Sequence, residues 1–291
     1  MTNHRVVIGD SRNLDLDDST VHLIITSPPY FDARDYGIDN QIGHGSSLSK
    51  YLKEISQVFD ECYRVLQPGR KFCLNISDLP VKGKNGVKWI PLGFELLSIC
   101  LKTGFELADR IIWQKIPMKG FQWGSLPYPP SPLICDSMEY IFILKKQGKP
   151  DYSYLSKKDK EESKLRKEEF TGYTKQIWTI KRVRLKDNIN GHIAPFPIEL
   201  PLRCIKLYSF VNDTIFDPFG GSGTTTSAAV QTGRNSILYE INKEYIEIIK
   251  EKIGVHQTRL IEGISFSVEI KNGNPIKKSG GANVHGLACE R

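Results

Sequence analysis

The stretch Asn212–Thr226, NDTIFDPFGGSGTTT, decides how the rest of the chain is organised. Its first residues favour a short buried strand, its glycines favour a tight turn, and the small residues that follow predict a helix as far as Gln231. Glycines allow a backbone to approach a ligand closely, and the first turn of a helix presents free N–H groups. A strand, a glycine-rich turn and a helix in this order predict a nucleotide-type site at the end of the strand.

Two charged positions narrow the class of ligand that the turn could bind. Asp217 precedes the glycines, where its negative charge would repel a pyrophosphate, and no lysine follows the turn as a phosphate-binding loop requires. Glu240 ends the next predicted strand, about 20 residues further on, where a carboxylate accepts hydrogen bonds from a ribose. The pattern therefore predicts a nucleoside that carries a positive or zwitterionic tail.

A second strand end lies near the start of the chain. The apolar run Val21–Ile25 predicts a buried strand, and Thr26-Ser27-Pro28-Pro29-Tyr30 follows it. Consecutive prolines exclude a helix and end the ladder pairing. Because ligands of open α/β sheets bind at the carboxyl ends of strands, this tip would present a hydroxyl, carbonyls and a phenol to a ligand. These groups suit a flat ring that bears an amine.

The rest of the chain alternates apolar strands with amphipathic helices, which predicts an α/β fold with a parallel sheet flanked by helices. Asp10 follows the first of these strands, and Asn75, Ser77 and Asp78 end another. Further strands are expected at 5–9, 71–76, 110–114, 139–144 and 236–240, and helices at 48–66, 90–103, 198–208 and 243–253.

Both strand-end motifs resemble those of a known enzyme family. Residues Asp217–Thr225 are similar to the cofactor motif of S-adenosylmethionine-dependent DNA amino-methyltransferases, and Thr26–Tyr30 resembles their catalytic tetrapeptide. In that family, a catalytic motif that precedes the target-recognition region and the cofactor motif marks the circularly permuted beta class. The resemblance runs roughly from Val6 to Ile253. It implies a doubly wound, mostly parallel, seven-stranded Rossmann-like methyltransferase sheet with a target-recognition insert, S-adenosyl-L-methionine as cofactor and double-stranded DNA as substrate.

The resemblance also implies roles for single residues. Asp10 resembles the acid that meets the adenine amine of the cofactor, and His192–Pro197 resembles the segment that holds its methionine moiety. The implied catalytic residues are Ser27, Pro28, Pro29 and Tyr30. The implied cofactor-binding residues are Asp10, Thr26, His192, Phe196, Pro197, Asp217, Phe219, Gly221, Ser222, Gly223, Thr224 and Glu240.

The chemistry of an amine target agrees with these roles. An exocyclic amine of cytosine or adenine is a poor nucleophile because its lone pair is delocalised into the ring. Two acceptors, the Ser27 hydroxyl and the Pro28 carbonyl, would hold the amine hydrogens while Tyr30 stacks on a base flipped out of the duplex. Catalysis would consist of positioning and preorganised polarity, so neither a cysteine nucleophile nor a metal is expected.

Serine at the first position of the tetrapeptide favours the N4 amine of cytosine, since adenine-modifying members usually carry Asp or Asn there. Adenine-N6 methylation is the alternative within the class, because a serine hydroxyl can also accept from an adenine amine. A DNA-binding protein that has lost turnover is the alternative from another class. Methylation of RNA or of a protein amide is a third, for which Asn-Pro-Pro-Tyr would be the usual motif.

The net charge of +7 arises in one segment. Residues 145–188 hold 14 Lys and Arg against 7 Asp and Glu, and the remainder holds 26 of each. A basic block confined to one segment favours contact with a polyanion. Trp178–Arg184 interleaves aromatic and basic residues, as expected of a segment that contacts phosphates or a DNA groove. The Pro-rich loop 120–132 offers aromatic rings that can stack on a base. The predicted DNA-binding residues are Arg34, Trp123, Tyr128, Lys181, Arg182 and Arg184.

The expected domain organisation follows from these motifs. Residues 1–144 form the catalytic half of one methyltransferase domain, 145–190 the basic target-recognition insert, 191–262 the cofactor-binding half and 263–291 a flexible tail. Six scattered cysteines without C-x-x-C spacing argue against structural zinc and disulfides, and no run approaches a membrane span. The expected compartment is the cytoplasm, and a cognate restriction endonuclease is considered as a functional rather than physical partner.

Overall fold

The computed structural model describes residues 1–32, 41–83, 86–116, 134, 136–183, 196–254 and 264–271. These ranges contain eleven strands and seven helices. The strands are β1 (Thr2–Ile8), β2 (Val21–Thr26), β3 (Leu66–Ile76), β4 (Leu79–Gly83), β5 (Gly86–Ile90), β6 (Glu106–Ile116), β7 (Met138–Lys145), β8 (Ile177–Lys181), β9 (Thr214–Asp217), β10 (Asn235–Glu240) and β11 (Ile264–Ile270). The helices are α1 (Leu48–Val65), α2 (Leu92–Thr103), α3 (Lys157–Glu162), α4 (Lys167–Tyr173), α5 (Glu199–Tyr208), α6 (Thr224–Gln231) and α7 (Tyr245–Lys252).

Nine of the strands form one sheet in the order β11-β1-β10-β9-β2-β3-β7-β6-β8. Neighbours pair in parallel, except that β7 runs antiparallel to both β3 and β6. The seven strands from β1 to β6 in this order form the predicted doubly wound, mostly parallel sheet. Two further strands, β11 and β8, extend it at its edges, and β4 and β5 pair as a separate hairpin.

The sheet is buried on both faces because helices cover both. Successive residues of a strand point to opposite faces, so Ile24 and Ile25 of β2 enter different parts of the core. Ile24 packs with Phe72 in the cluster that includes α1 and α2, whereas Ile25 packs with Cys204 in the cluster that includes α5 and α6. A strand buried on both faces needs a continuous apolar run, which Val21–Ile25 supplies apart from His22.

Helix α1 shows how local sequence sets the boundaries of these elements. The Ser47 side chain accepts a hydrogen bond from the Lys50 backbone N–H at 3.2 Å and so caps the first turn. The buried residues of α1 recur at helical spacing, and the chain turns directly into β3 at Leu66. No helix in the described ranges is long and apolar enough to cross a membrane.

The described part of the basic segment packs on the main sheet. Its strand β8 pairs in parallel with β6, and Trp178 and Ile180 are each 1% exposed. The indole N–H of Trp178 donates to the carbonyl of Tyr173 at 3.0 Å, and the Arg203 guanidinium lies 5.1 Å from the Trp178 ring. Trp178 is therefore a core residue, and the expectation that it belongs to a groove reader was wrong.

Candidate active site

Most of the predicted site residues that the structure describes lie at one edge of the sheet, where the parallel strands end. β1, β2, β3, β9 and β10 run in the same direction, so their carboxyl ends meet there. This edge is called the carboxyl edge below. It brings together Asp10, the Thr26–Tyr30 tip, the glycine turn 217–223 and Glu240.

The glycine turn packs tightly on the end of β10. A Cβ added to Gly220 would lie 2.0 Å from Cγ of Leu238, and the Gly220 N–H donates to the Tyr239 carbonyl at 2.9 Å. Gly223 has φ of +77°, the left-handed conformation that glycine adopts without strain, and α6 begins at the next residue. The turn thus presents bare backbone and a helix N-terminus, which fits a close-lying nucleoside.

Glu240 holds the turn from the neighbouring strand. Its Oε2 accepts from the Gly221 N–H at 2.8 Å and its Oε1 from the Asn242 N–H at 2.8 Å. Burial raises the pKa of Glu240 to about 7, against the effect of these backbone donors. The carboxylate lies next to the turn, where it could accept a hydrogen bond from a ribose hydroxyl.

The hydroxyls of Ser222 and Thr224 share one partner that the sequence did not reveal. The ammonium of Lys252, at the end of α7, donates to each hydroxyl oxygen at 2.7 Å. Withdrawal from water lowers the pKa of Lys252 to about 8. Although no lysine directly follows the turn in the sequence, the fold brings Lys252 to it from the end of α7, the second helix after the turn.

Asp217 links the glycine turn to the end of β2. Its Oδ1 accepts from the Thr26 hydroxyl at 2.7 Å, its Oδ2 accepts from the Thr225 hydroxyl at 2.6 Å, and the Phe219 N–H donates to Oδ1 at 3.1 Å. The residue is 1% exposed, and burial raises its pKa to about 6 despite these donors. Both carboxylate oxygens are thus engaged by the protein, so Asp217 fixes β2 and the turn to each other.

Asp10 is paired with a neighbouring cation. The Arg12 guanidinium donates to both Asp10 oxygens, with the shortest contact at 2.6 Å, and reaches Glu54 of α1 at 3.0 Å. The Arg12 backbone N–H also donates to Oδ1 at 2.9 Å, so each carboxylate oxygen accepts two contacts, and an adenine amine would have to share or displace one of them. The same pairing hinders free rotation of the Asp10 side chain.

The Thr26–Tyr30 tip is held by contacts from several elements. Pro28 is buried, Ser27 and Tyr30 are half-buried, and the Tyr51 hydroxyl donates to the Pro29 carbonyl at 3.0 Å. The Tyr30 hydroxyl donates to Oε2 of Glu139 at 3.1 Å and accepts from the Ser77 N–H at 3.1 Å. Burial and the nearby Glu139 carboxylate hold the pKa of Tyr30 well above its usual range, so the phenol keeps its proton.

Sequence reasoning missed Glu139 and Asn75 as members of this site. Asn75 Nδ2 donates to Oε2 of Glu139 at 2.5 Å, and Lys115 Nζ lies 3.4 Å from Oε1. Asn75 and Ser77 end a strand, so the rule that ligands bind at carboxyl ends could have found them. Glu139 begins a strand, and it reaches the carboxyl edge because β7 is antiparallel to its neighbours.

The remaining predicted residues divide into three groups. Phe196 is half-buried and Pro197 buried just before α5, and Phe196 packs on the core cluster that contains Ile25. Lys181 is exposed and Arg182 half-buried at the carboxyl end of β8, which lies at the same edge as Tyr30. The predictions that fall outside the described residues are Arg34, Trp123, Tyr128, Arg184 and His192.

Comparison with known proteins agrees with this architecture. A family model described as DNA methylase, for N6 and N4 methyltransferases, matches residues 21–251. The type II methyltransferase M.MjaI of Methanocaldococcus jannaschii is 35% identical, over 93% of this chain and 97% of that protein. The type II methyltransferase M.MthZI of Methanothermobacter thermautotrophicus is 31% identical, over 87% of this chain and 77% of that protein.

Solved structures show the same fold. A protein of Thermus thermophilus described as a DNA modification methylase, solved in complex with S-adenosyl-L-methionine, is 31% identical, with a TM-score of 0.71 over 91% of this chain and 99% of that chain. The cytosine-N4-specific PvuII DNA methyltransferase has a TM-score of 0.63 at 20% identity, over 86% of each chain.

An α/β sheet with the Thr26–Tyr30 tip on β2 and the glycine turn after β9 has the motif order of a permuted amino-methyltransferase. The chain belongs to the DNA methylase family of N6- and N4-amino methyltransferases, and its cofactor is S-adenosyl-L-methionine.

Proposed function

We propose that this protein methylates the exocyclic N4 amine of a cytosine that is flipped out of double-stranded DNA. The supporting observation is the Ser27-Pro28 pair at the end of β2, which Thr26 joins to Asp217 beside the cofactor turn. β2 and β9 are neighbours in the sheet, so a base at Ser27 and a nucleoside at the turn would lie side by side.

The residues of the tip would activate the amine by orienting it. The bound cofactor supplies a methyl group on a sulfonium, which is a good leaving group. The Ser27 hydroxyl and the Pro28 carbonyl each accept one amine hydrogen, which aims the nitrogen lone pair away from them. This orientation would keep the lone pair directed at the cofactor turn during transfer, and the methylated amine would then lose one proton to water.

Tyr30 would hold the flipped base by stacking. Its phenol is fixed at the hydroxyl by Glu139 and Ser77, so the ring axis has a set direction before the base arrives. Such preorganisation lowers the entropic cost of orienting the base, and misplacement by about 1 Å can reduce a rate by about 10²-fold.

The substrate implies further roles for the chain. We infer that residues 145–190 read the target, with Lys181 and Arg182 contacting DNA at the carboxyl edge. The type II methyltransferase names of M.MjaI and M.MthZI support a restriction-modification setting with a cognate endonuclease. Action on genomic DNA would place the protein in the cytoplasm.

The test is the identity of the methylated base. DNA from cells that express the protein is digested to nucleosides and analysed by mass spectrometry, and sequencing maps the modified positions. N4-methylcytosine is the expected product. N6-methyladenine without N4-methylcytosine would establish the adenine alternative, and DNA binding without either product would indicate a protein that has lost turnover.

A matched pair of variants tests whether formation of the product depends on Ser27. Ser27→Ala removes one amine acceptor and should lower kcat by about 10²-fold or more, with cofactor affinity nearly unchanged. Ser153→Ala removes an exposed hydroxyl that follows β7 at the opposite edge and should leave turnover unchanged. Equal activity of the two variants would exclude the proposed role of Ser27.

A further inference from the structure

Lys252 brings a positive charge to the glycine turn at the point where α6 begins. Its ammonium donates to the hydroxyl oxygens of Ser222 and Thr224, each at 2.7 Å, and these two residues are 4% and 5% exposed. In the described part of the chain no carboxylate pairs with this ammonium, and burial lowers its pKa without a contribution from a nearby charge. The charge therefore lies beside the turn with two neutral partners.

The direction of these hydrogen bonds follows from the chemistry of an ammonium. A lysine ammonium can only donate, so Thr224 accepts with its hydroxyl oxygen and keeps its own proton for another group. None of the described residues accepts that proton. Thr224 is also the first residue of α6, where the free N–H groups of the helix add a partial positive charge. These features together favour a negatively charged acceptor at this point.

The cofactor carries one group of this kind. S-adenosyl-L-methionine has a sulfonium and an ammonium, which are cations, and one carboxylate. Asp217 and Glu240, the acids that contact the turn, would repel that carboxylate when ionised. Lys252 has the opposite charge and would attract it.

We propose that Lys252 is a positioning residue that directs the Thr224 hydroxyl and a positive charge toward the carboxylate of the bound cofactor. This role lies beyond the choice of target base and is the same whether the enzyme methylates cytosine or adenine.

A purely structural role for Lys252 predicts something different. Ile249 is fully buried, and a Cβ added to Gly223 would lie 3.1 Å from its Cγ2. The Ser227 hydroxyl donates to the Lys252 carbonyl at 3.5 Å, so α7 contacts both the turn and α6 without the ammonium. If the ammonium only reinforced this packing, its loss would weaken every ligand of the turn to the same degree.

Two ligands that differ in the amino acid tail separate these roles. S-adenosyl-L-homocysteine carries the carboxylate, whereas 5′-methylthioadenosine has the same nucleoside and a thioether but neither carboxylate nor ammonium. In calorimetry with the full-length protein, Lys252→Met should weaken binding of S-adenosyl-L-homocysteine by about 10-fold to 10²-fold, as expected for a lost charged contact, and that of 5′-methylthioadenosine by less than about twofold. Loss of a cation would not weaken the contact of the tail ammonium, because like charges repel.

Variants at both partners show whether they act together. Lys252→Arg keeps a charged donor and should bind S-adenosyl-L-homocysteine more tightly than Lys252→Met does. Thr224→Val removes the hydroxyl with little change in shape and should show the same selective loss. The double variant Lys252→Met with Thr224→Val should lose less than the sum of the two single losses, because both changes act on one carboxylate.

Lys250→Met is the matched control. Lys250 lies on the same helix, paired with Glu247 at 2.8 Å, and its removal should leave the affinity for both ligands unchanged. If urea denaturation shows that Lys252→Met does not fold, Lys252→Gln replaces it, since it keeps a donor but no charge, and it should show the same selectivity between the two ligands.

Equal weakening of the two ligands, an unchanged affinity for S-adenosyl-L-homocysteine, or additive losses in the double variant would overturn the proposed role of Lys252. Failure of the proposed function is recognised separately, because the calorimetry contains no DNA and the methylated nucleoside is identified in the wild type.

Discussion

Glu240 is buried and accepts a hydrogen bond from the glycine turn, and its shifted pKa makes stability depend on pH. Its pKa is about 7 in the folded protein and near 4.5 for an unperturbed glutamate. Between these values the folded state keeps the proton and the unfolded state has released it. The free energy of unfolding contributed by this group therefore falls as pH rises through that window and is constant on either side.

Glu240→Gln tests both the stability and the cofactor contact. The variant should lose this part of the pH dependence of unfolding, measured by urea denaturation. In the wild type, cofactor affinity should rise as pH passes about 7, because the ionised carboxylate is the better acceptor for a ribose hydroxyl. The variant should bind about 1–3 kcal/mol more weakly at high pH and, in calorimetry, should lose the change in affinity centred near pH 7.

Glu247→Gln provides the control for this experiment. Glu247 is exposed on α7, paired with Lys250, and should alter neither cofactor affinity nor its pH profile. If Glu240→Gln binds the cofactor as tightly as the wild type at every pH, then Glu240 stabilises the glycine turn and does not contact the cofactor.

At the scale of secondary-structure elements, the turn between β9 and α6 depends on its contact with β10. Gly220 lies against Leu238 so closely that a methyl group would overlap the leucine side chain at 2.0 Å. Leu238 is fully buried against β1 and α7 and cannot move aside without disturbing that cluster. The close contact thus sets where the N-terminus of α6 lies relative to Glu240.

Gly220→Ala should displace the turn and weaken cofactor binding while destabilising the fold by about 1–3 kcal/mol, the usual result of overpacking. The measurements are urea denaturation and cofactor calorimetry. Gly172→Ala is the matched change in α4, where an added Cβ meets nothing within 4 Å. It should leave cofactor binding unchanged and stabilise by about 0.5–1 kcal/mol, because alanine favours a helix. Similar effects of the two variants would contradict the close-contact argument.

At the scale of the whole molecule, the basic segment is divided between two edges of the sheet. Lys181 and Arg182 end β8 at the carboxyl edge, the edge at which the Thr26–Tyr30 tip also lies. Lys164 and Lys167 instead line a groove that reaches Gly69–Lys71, at the amino-terminal part of β3. A DNA duplex that delivers a base to Tyr30 would contact the first pair and not the second.

Neutralising the two pairs separately tests this division. Replacing Lys181 and Arg182 with glutamine should reduce the slope of log affinity against log salt by about one unit for each lost phosphate contact. The same change at Lys164 and Lys167 should leave the slope of specific DNA binding unchanged. DNA affinity measured over a series of salt concentrations distinguishes the two pairs. A larger effect of the second pair would indicate that the DNA interface lies at the groove.

The sequence by itself determined the class of fold and the two motifs of the site. Glycine and proline restrict or release the backbone where they stand, so the turn at 217–223 and the tip at Ser27–Tyr30 could be recognised from local residue types. Apolar runs and helical spacing likewise predicted the strands and helices of the central sheet, since burial imposes a period on the sequence.

Only the tertiary structure decided which distant residues share the site. Thr26 meets Asp217 across 191 residues and Tyr30 meets Glu139 across 109, and both pairs depend on the order and direction of strands. Lys252 reaches the turn for the same reason. Trp178 lies in the core, although the basic residues that follow it in the sequence suggested contact with DNA. Local sequence constrains local backbone, whereas strand order follows from the packing of the whole chain, so these contacts could not be predicted from spacing alone.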